Sequence, residues 1–149
     1  MLNKGDRYRY LKGMYSALTA GMSDQTYIFC EHRHNIFGLV RPVTGHIKLC
    51  VIDDMIKDDE LHLLRLVPKA WVRSDYQTRF ENIATEFGPV TLKFKLTEDG
   101  KALDVIYEPQ FRHQPKKVAL HVPPLDGLKK VVINGKATKT AAGDVIMVR

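Results

Sequence analysis

The sequence predicts a mainly β fold, an antiparallel β-sandwich preceded by one N-terminal helix. Three observations lead to it. Val90, Leu92, Phe94 and Leu96 alternate with Thr91, Lys93, Lys95 and Thr97, a period of two that gives a strand one buried and one wet face. Glu98-Asp99-Gly100 is a turn signal, after which Leu103, Val105 and Tyr107 resume the alternation and close a hairpin. Further short apolar runs follow at turn-bounded spacing, ending in Asn134-Gly135, the strongest short hairpin signal.

The elements follow in order. Residues 5–21 read as a helix whose apolar stripe is Tyr8, Leu11, Met14 or Tyr15, and Leu18, with Asp6 as N-cap and Gly21 as stop. One stripe needs a partner surface, and no second strong helical pattern follows. Residues 22–45 read as irregular apart from an extended run at 27–30. Residues 46–52, His-Ile-Lys-Leu-Cys-Val-Ile, alternate as a strand does. Asp53, Asp54, Asp58, Asp59 and Glu60 read as a solvated acidic turn, because their spacing matches no calcium loop. Leu61 to Val67 reads as a buried strand stopped by Pro68. Val118, Leu120 and Val122 make a strand closed by Pro123-Pro124. Leu128 to Ile133 leads into Asn134-Gly135, and Val145 to Val148 follows a turn at 142–144. The organisation expected is a helix and exit loop over 1–45 and a β-sandwich domain over 46–149.

Composition limits the function classes. The 149 residues suit one domain of ordinary size, 44% hydrophobic and 27% charged. No stretch is long or apolar enough to span a bilayer, and no apolar signal core follows the N-terminus, so neither a membrane partner nor an export signal is expected in the chain as written. Cys30 and Cys50 are too few for a disulfide scaffold. The net charge is +6, but lysines 93, 95, 116, 117, 129, 130, 136 and 139 are spread, as on a solvated face. A nucleic-acid platform sets aromatics among its lysines, whereas the wet side of 90–97 holds only Thr and Lys, so nucleic acid is an unlikely partner.

The most chemistry-like cluster is Glu31, His32, Arg33 and His34. On an extended backbone Cys30, His32 and His34 would share a face, but near neighbours lack the spacing of a structural zinc site, so no metal is expected. The plain reading of these four residues is an ordinary polar loop. Trp71 and Tyr76 are the aromatic candidates for stacking on a sugar ring or a base, but Trp71, just past Pro68, fits a core cap better. No nucleophile elbow, phosphate loop or dinucleotide glycine motif occurs, and no cofactor is implied.

Three stretches carry a family resemblance. Leu61-His-Leu-Leu-Arg-Leu-Val-Pro-Lys-Ala-Trp71, Phe87-Gly-Pro-Val-Thr-Leu-Lys-Phe94, and Val118-Ala-Leu-His-Val-Pro-Pro124 with Val131-Val-Ile-Asn-Gly-Lys136 resemble the C-terminal end of bacterial glycosidases built on a six-hairpin α/α toroid. The helix and Tyr27-Ile-Phe-Cys-Glu-His-Arg33 look like the toroid's last helix and its exit loop, which implies that Glu31 and Arg33 would hydrogen-bond sugar hydroxyls. The resemblance implies a β-sandwich packed beside a toroid that carries the catalytic acid and base. Such a toroid would end where this chain begins, so no catalytic residue is carried over and the chain is expected to be a fragment, a split-gene product or a short paralogue. Its partners would then be a carbohydrate ligand and, through the helix, the missing toroid or a second copy in a homodimer. The runner-up readings are a stand-alone carbohydrate-binding module and a basic nucleic-acid-binding β domain. Localisation is left open, members of the parent family often being exported.

Overall fold

The computed structural model describes residues 6–21, 28–30 and 40–148. The chain divides into two compact units, Met1–Leu49 and Cys50–Arg149, each described by itself.

The first unit holds α1 (Arg7–Gly21) and the paired strands β1 (Ile28–Cys30) and β2 (Val40–Pro42). Asp6 caps α1 as the sequence predicts. Its Oδ1 accepts the Arg9 N–H at 3.1 Å, which satisfies a donor the helix leaves open. The expected apolar stripe is only partly buried: Met14 is buried and Leu11 half-buried, whereas Tyr8 (74%) and Tyr15 (42%) are exposed. The structure therefore selects Met14 over Tyr15; the Leu18 side chain lies outside the described residues. α2 (Val43–Val51) occupies the stretch expected as a strand. The apolar positions 47, 49 and 51 fit a period of two, but 43, 47, 50 and 51 fit a helical repeat equally.

The second unit is a sandwich-like pair of sheets. β3 (Ile52–Asp53), β4 (Glu60–Leu63), β8 (Lys117–His121) and β11 (Val145–Met147) form a four-stranded sheet in the order β11-β8-β4-β3. β5 (Thr78–Thr85), β6 (Gly88–Leu96), β7 (Ala102–Pro109), β9 (Lys130–Ile133) and β10 (Lys136–Lys139) form a five-stranded sheet in the order β10-β9-β7-β6-β5. Most neighbours are antiparallel. Two pairings are parallel, β4 with β8 and β7 with β9, because each pair is separated in sequence by strands of the other sheet.

The β6–β7 hairpin is the centre of the core. Its register sets Leu92 opposite Tyr107, Phe94 opposite Val105 and Leu96 opposite Leu103. Val90, Leu92, Phe94, Leu103, Val105 and Tyr107 are all buried, as their alternation predicts, and Leu96 is half-buried. Thr97 fastens the turn: its Oγ1 accepts the Ala102 N–H and donates to Asp99 Oδ1 at 2.7 Å. The expected wet face of β6 holds one exception. Thr91 is buried, because β5 bulges between Phe80 and Ile83 and the Asn82 N–H reaches Thr91 Oγ1 at 3.0 Å.

Two further readings need correction. Leu61 to Val67 is buried, with only Arg65 half-buried, but the strand ends at Leu63. Leu64 takes a positive φ of 56° and donates its N–H back to Val51 O, so the run folds into a turn without leaving the core. The acidic stretch is likewise not uniformly solvated. Asp58 and Asp59 are exposed, but Asp53 and Asp54 are buried and partnered. Asp54 Oδ2 accepts the Glu86 N–H at 2.8 Å and so links the end of β3 to the β5–β6 turn.

Gly88, just after that turn, is required by close approach. Its φ is +130°, and a Cβ there would meet Gln110 O at 2.5 Å.

The core makes a paired stability prediction. Phe94→Ala removes a fully buried ring and should cost about 3–5 kcal/mol in chemical denaturation. Tyr107→Phe should be close to neutral or stabilising. Its hydroxyl is buried without a partner among the described residues, so its removal leaves no donor or acceptor stranded. A Tyr107→Phe loss as large as that of Phe94→Ala would mean the hydroxyl is bonded.

Candidate functional site

One face of the four-stranded sheet collects the chemistry-bearing side chains. Along β4, alternation sends Leu61 and Leu63 to one face and Glu60 and His62 to the other. The parallel register sets His62 beside Ala119 and Glu60 beside Lys117, which places His121 one repeat further along the same face. β3 adds Asp53 directly opposite His62.

The contacts make two clusters, one around Glu60 and His62 and one around Asp53. His62 Nε2 is 3.0 Å from Glu60 Oε2, and His62 Nδ1 is 2.8 Å from His121 Nε2, with ring centroids 5.1 Å apart. Lys57 donates to Glu60 Oε1 at 2.8 Å, and Lys117 Nζ lies 3.6 Å from Glu60 Oε2. Arg65, delivered by the turn after Leu64, meets buried Asp53 at 3.2 Å, while Asp53 Oδ1 accepts the Met55 N–H.

Electrostatics fixes the proton arrangement. The Lys57 hydrogen bond, helped by His62 and the charge of Lys117, holds the Glu60 carboxyl down at about 2 against the opposing effect of desolvation, so it is ionised at neutral pH. Burial first, then the neighbouring His62, Arg65 and Lys117, pushes His121 down to about 4, so its ring is neutral. An ionised Glu60 accepts from His62 Nε2–H. His62 Nδ1 and His121 Nε2 share the second hydrogen bond, at 2.8 Å.

A carboxylate–imidazole–imidazole chain can pass a proton, but catalysis needs more. A glycosidase acid needs a raised pKa, and Glu60 has the reverse. No group of three or more His, Cys, Asp and Glu among the described residues is placed to hold a metal. No helix among them is long and apolar enough to cross a membrane.

The sequence-predicted site residues fall elsewhere. Glu31, His32, Arg33 and His34 lie outside the described residues. Trp71 ends a short 3-10 turn, Lys69–Trp71, and is half-buried. Its ring lies 6.4 Å from Phe80, which stacks at 6.5 Å on Phe94, so Trp71 is the outer end of a row of rings reaching the core. Tyr76 is 63% exposed. Asp53, Glu60, His62 and His121 were not singled out as a site. The only sequence signal was the polar phase of β4, and His121 is 59 residues from His62. Comparison with protein-family models, with curated proteins and with solved structures finds no match to this chain.

The network predicts acid sensitivity. A histidine depressed from 6.5 to about 4 on folding takes up its proton in the unfolded chain first. Its stabilising effect is therefore complete above pH 6.5 and lost as pH falls towards 4. Glu60, depressed from 4.5 to about 2, adds a second loss below that window. Urea midpoints measured across this range should fall with pH, and His121→Gln should flatten the upper part of the curve. An unchanged slope in His121→Gln would show that this ring does not couple folding to pH.

Proposed function

We propose that this chain is a non-catalytic β-sandwich portion of a glycoside-hydrolase-like protein, with a structural or accessory role in carbohydrate processing. The observation that carries the proposal is the state of the carboxylates. Those held closely in the sandwich are committed to scaffold contacts: Asp53 to Arg65, Asp54 to a backbone N–H, Glu60 to Lys57 and His62. None is poised as a general acid. The sequence resemblance to the region after an α/α toroid supplies the parent family, and the sandwich-like fold agrees with that placement.

The exposed Tyr8 and Tyr15 support the further reading that α1 meets a partner, either a toroid or a second copy. The reading as a stand-alone carbohydrate-binding module is weaker, because Trp71 leans on Phe80 rather than standing out as a platform.

Assay of the purified chain against aryl glycosides and plant polysaccharides is expected to show no turnover. Hydrolysis that disappears in Glu60→Gln, Asp54→Asn or Glu31→Gln would overturn the proposal.

A further inference from the structure

The edge of the five-stranded sheet offers a binding surface independent of that reading. β10 is the terminal strand, and all four of its residues are exposed. The Asn134–Gly135 loop makes Ile133 and Lys136 a bonded pair, and the Thr140 N–H reaches Lys129 O at 3.1 Å. The alternation of an antiparallel ladder then directs the main-chain groups of Lys136, Thr138 and Thr140 to β9. Ala137 and Lys139 direct theirs to the open edge.

Beneath this edge lies a cleft of about 280 Å³, walled by Ile133, Lys136 and Thr138 on one side and by Ile146, Met147 and Val148 on the other. Lysines lie along the edge, of which Lys136 lines the cleft. Lys136 and Lys139 flank β10, Lys130 pairs with Lys139 across the ladder, and Lys129 is next along the chain. None of these four forms a salt bridge with the described residues.

We propose that β10 binds an extended peptide segment of alternating apolar and acidic residues, which adds to the sheet as a further strand. The three features select this partner together. Open main-chain groups at Ala137 and Lys139 call for a strand, as in other β-additions. Because side chains of a strand alternate, one face of the added segment enters the cleft, where Ile133, Ile146 and Val148 offer apolar contact, while the other meets Lys130 and Lys139. The same lysines reject a second copy of this edge by like-charge repulsion, the usual protection of an exposed edge strand. The charge therefore blocks self-pairing and admits an acidic segment.

Fluorescence anisotropy with a labelled peptide of alternating valine and glutamate tests the proposal. The peptide is expected to bind saturably, while its valine–lysine counterpart does not bind. Ala137→Pro removes one edge N–H and leaves the ladder to β9 intact, so it should weaken binding by about tenfold or more without lowering the thermal midpoint. Backbone N-methylation of the peptide should do the same with the unaltered protein, which decides the matter if Ala137→Pro fails to fold. Lys139→Glu should weaken binding and raise its independence of salt. The proposal is overturned if the valine–glutamate peptide does not bind, or if the N-methylated peptide binds as well as the parent. It is equally overturned if heparin fragments or duplex DNA displace the peptide at equal charge with Ala137→Pro making no difference, since the lysines would then be a general polyanion patch.

Discussion

The C-terminal half of the sandwich depends on one side chain, Asn134, clamped to the backbone of Tyr107. β9 runs parallel to β7 with Val105 opposite Ile133, and then the chain must turn back into β10. The turn needs positive φ at both of its residues, and Asn134 (47°) and Gly135 (82°) supply it. Turning away would leave the Tyr107 N–H and C=O, two residues further along β7, without a strand to bond. The Asn134 amide replaces that strand. Its Oδ1 accepts the Tyr107 N–H at 2.8 Å, and its Nδ2 donates to Tyr107 O at 2.8 Å, while its own N–H goes to Val105 O. A buried backbone pair left unbonded would cost about 1–3 kcal/mol per group, so the amide is a structural requirement rather than a turn preference alone.

The clamp fixes the register of β9 and β10 against the β6–β7 hairpin, and with it the open edge and the cleft beneath. The opposite sheet is organised differently. There the parallel β4–β8 register turns one face apolar, with Leu61, Leu63, Val118 and Leu120, and the other polar, with Glu60, His62 and His121. Each polar group on that second face is held by a neighbour. Asp54 supplies a cross-link between the sheets through the Glu86 N–H. The polar groups on that face of the four-stranded sheet are thus held in mutual contacts, whereas Lys129, Lys130, Lys136 and Lys139 at the edge of the five-stranded sheet make no salt bridge among the described residues.

Much of this was legible in the sequence where the determinant is local. The period of two in 90–97, the Glu98-Asp99-Gly100 turn and the Asn134-Gly135 hairpin are short-range signals, and the structure bears them out. What was not legible depends on distant partners. Residues 46–52 satisfy both helical and strand periodicity, so only the surroundings decide for α2. β5 went unread because, on the sheet edge, none of its residues is fully buried, and its Asn82 bulge breaks the alternation. Asp53 looked like one more residue of an acidic turn, since its partner Arg65 reaches it only after the chain folds back at Leu64. Glu60, His62 and His121 form a network only through the parallel pairing of β4 with β8, which brings together His62 and His121, 59 residues apart in sequence. The Asn134 clamp itself was half visible: the turn was read, but not the amide's bonds to Tyr107.

The Asn134 amide, and not merely the turn it sits in, holds β9 to β7. Asn134→Gly separates the two, because glycine keeps the positive φ and deletes the amide. Amide hydrogen exchange at Tyr107, referenced to Phe94 in the neighbouring strand, is the direct measurement. Exchange at Tyr107 should accelerate strongly in Asn134→Gly while protection at Phe94 falls only in step with global stability. Equal protection of Tyr107 in the two proteins would contradict the claim.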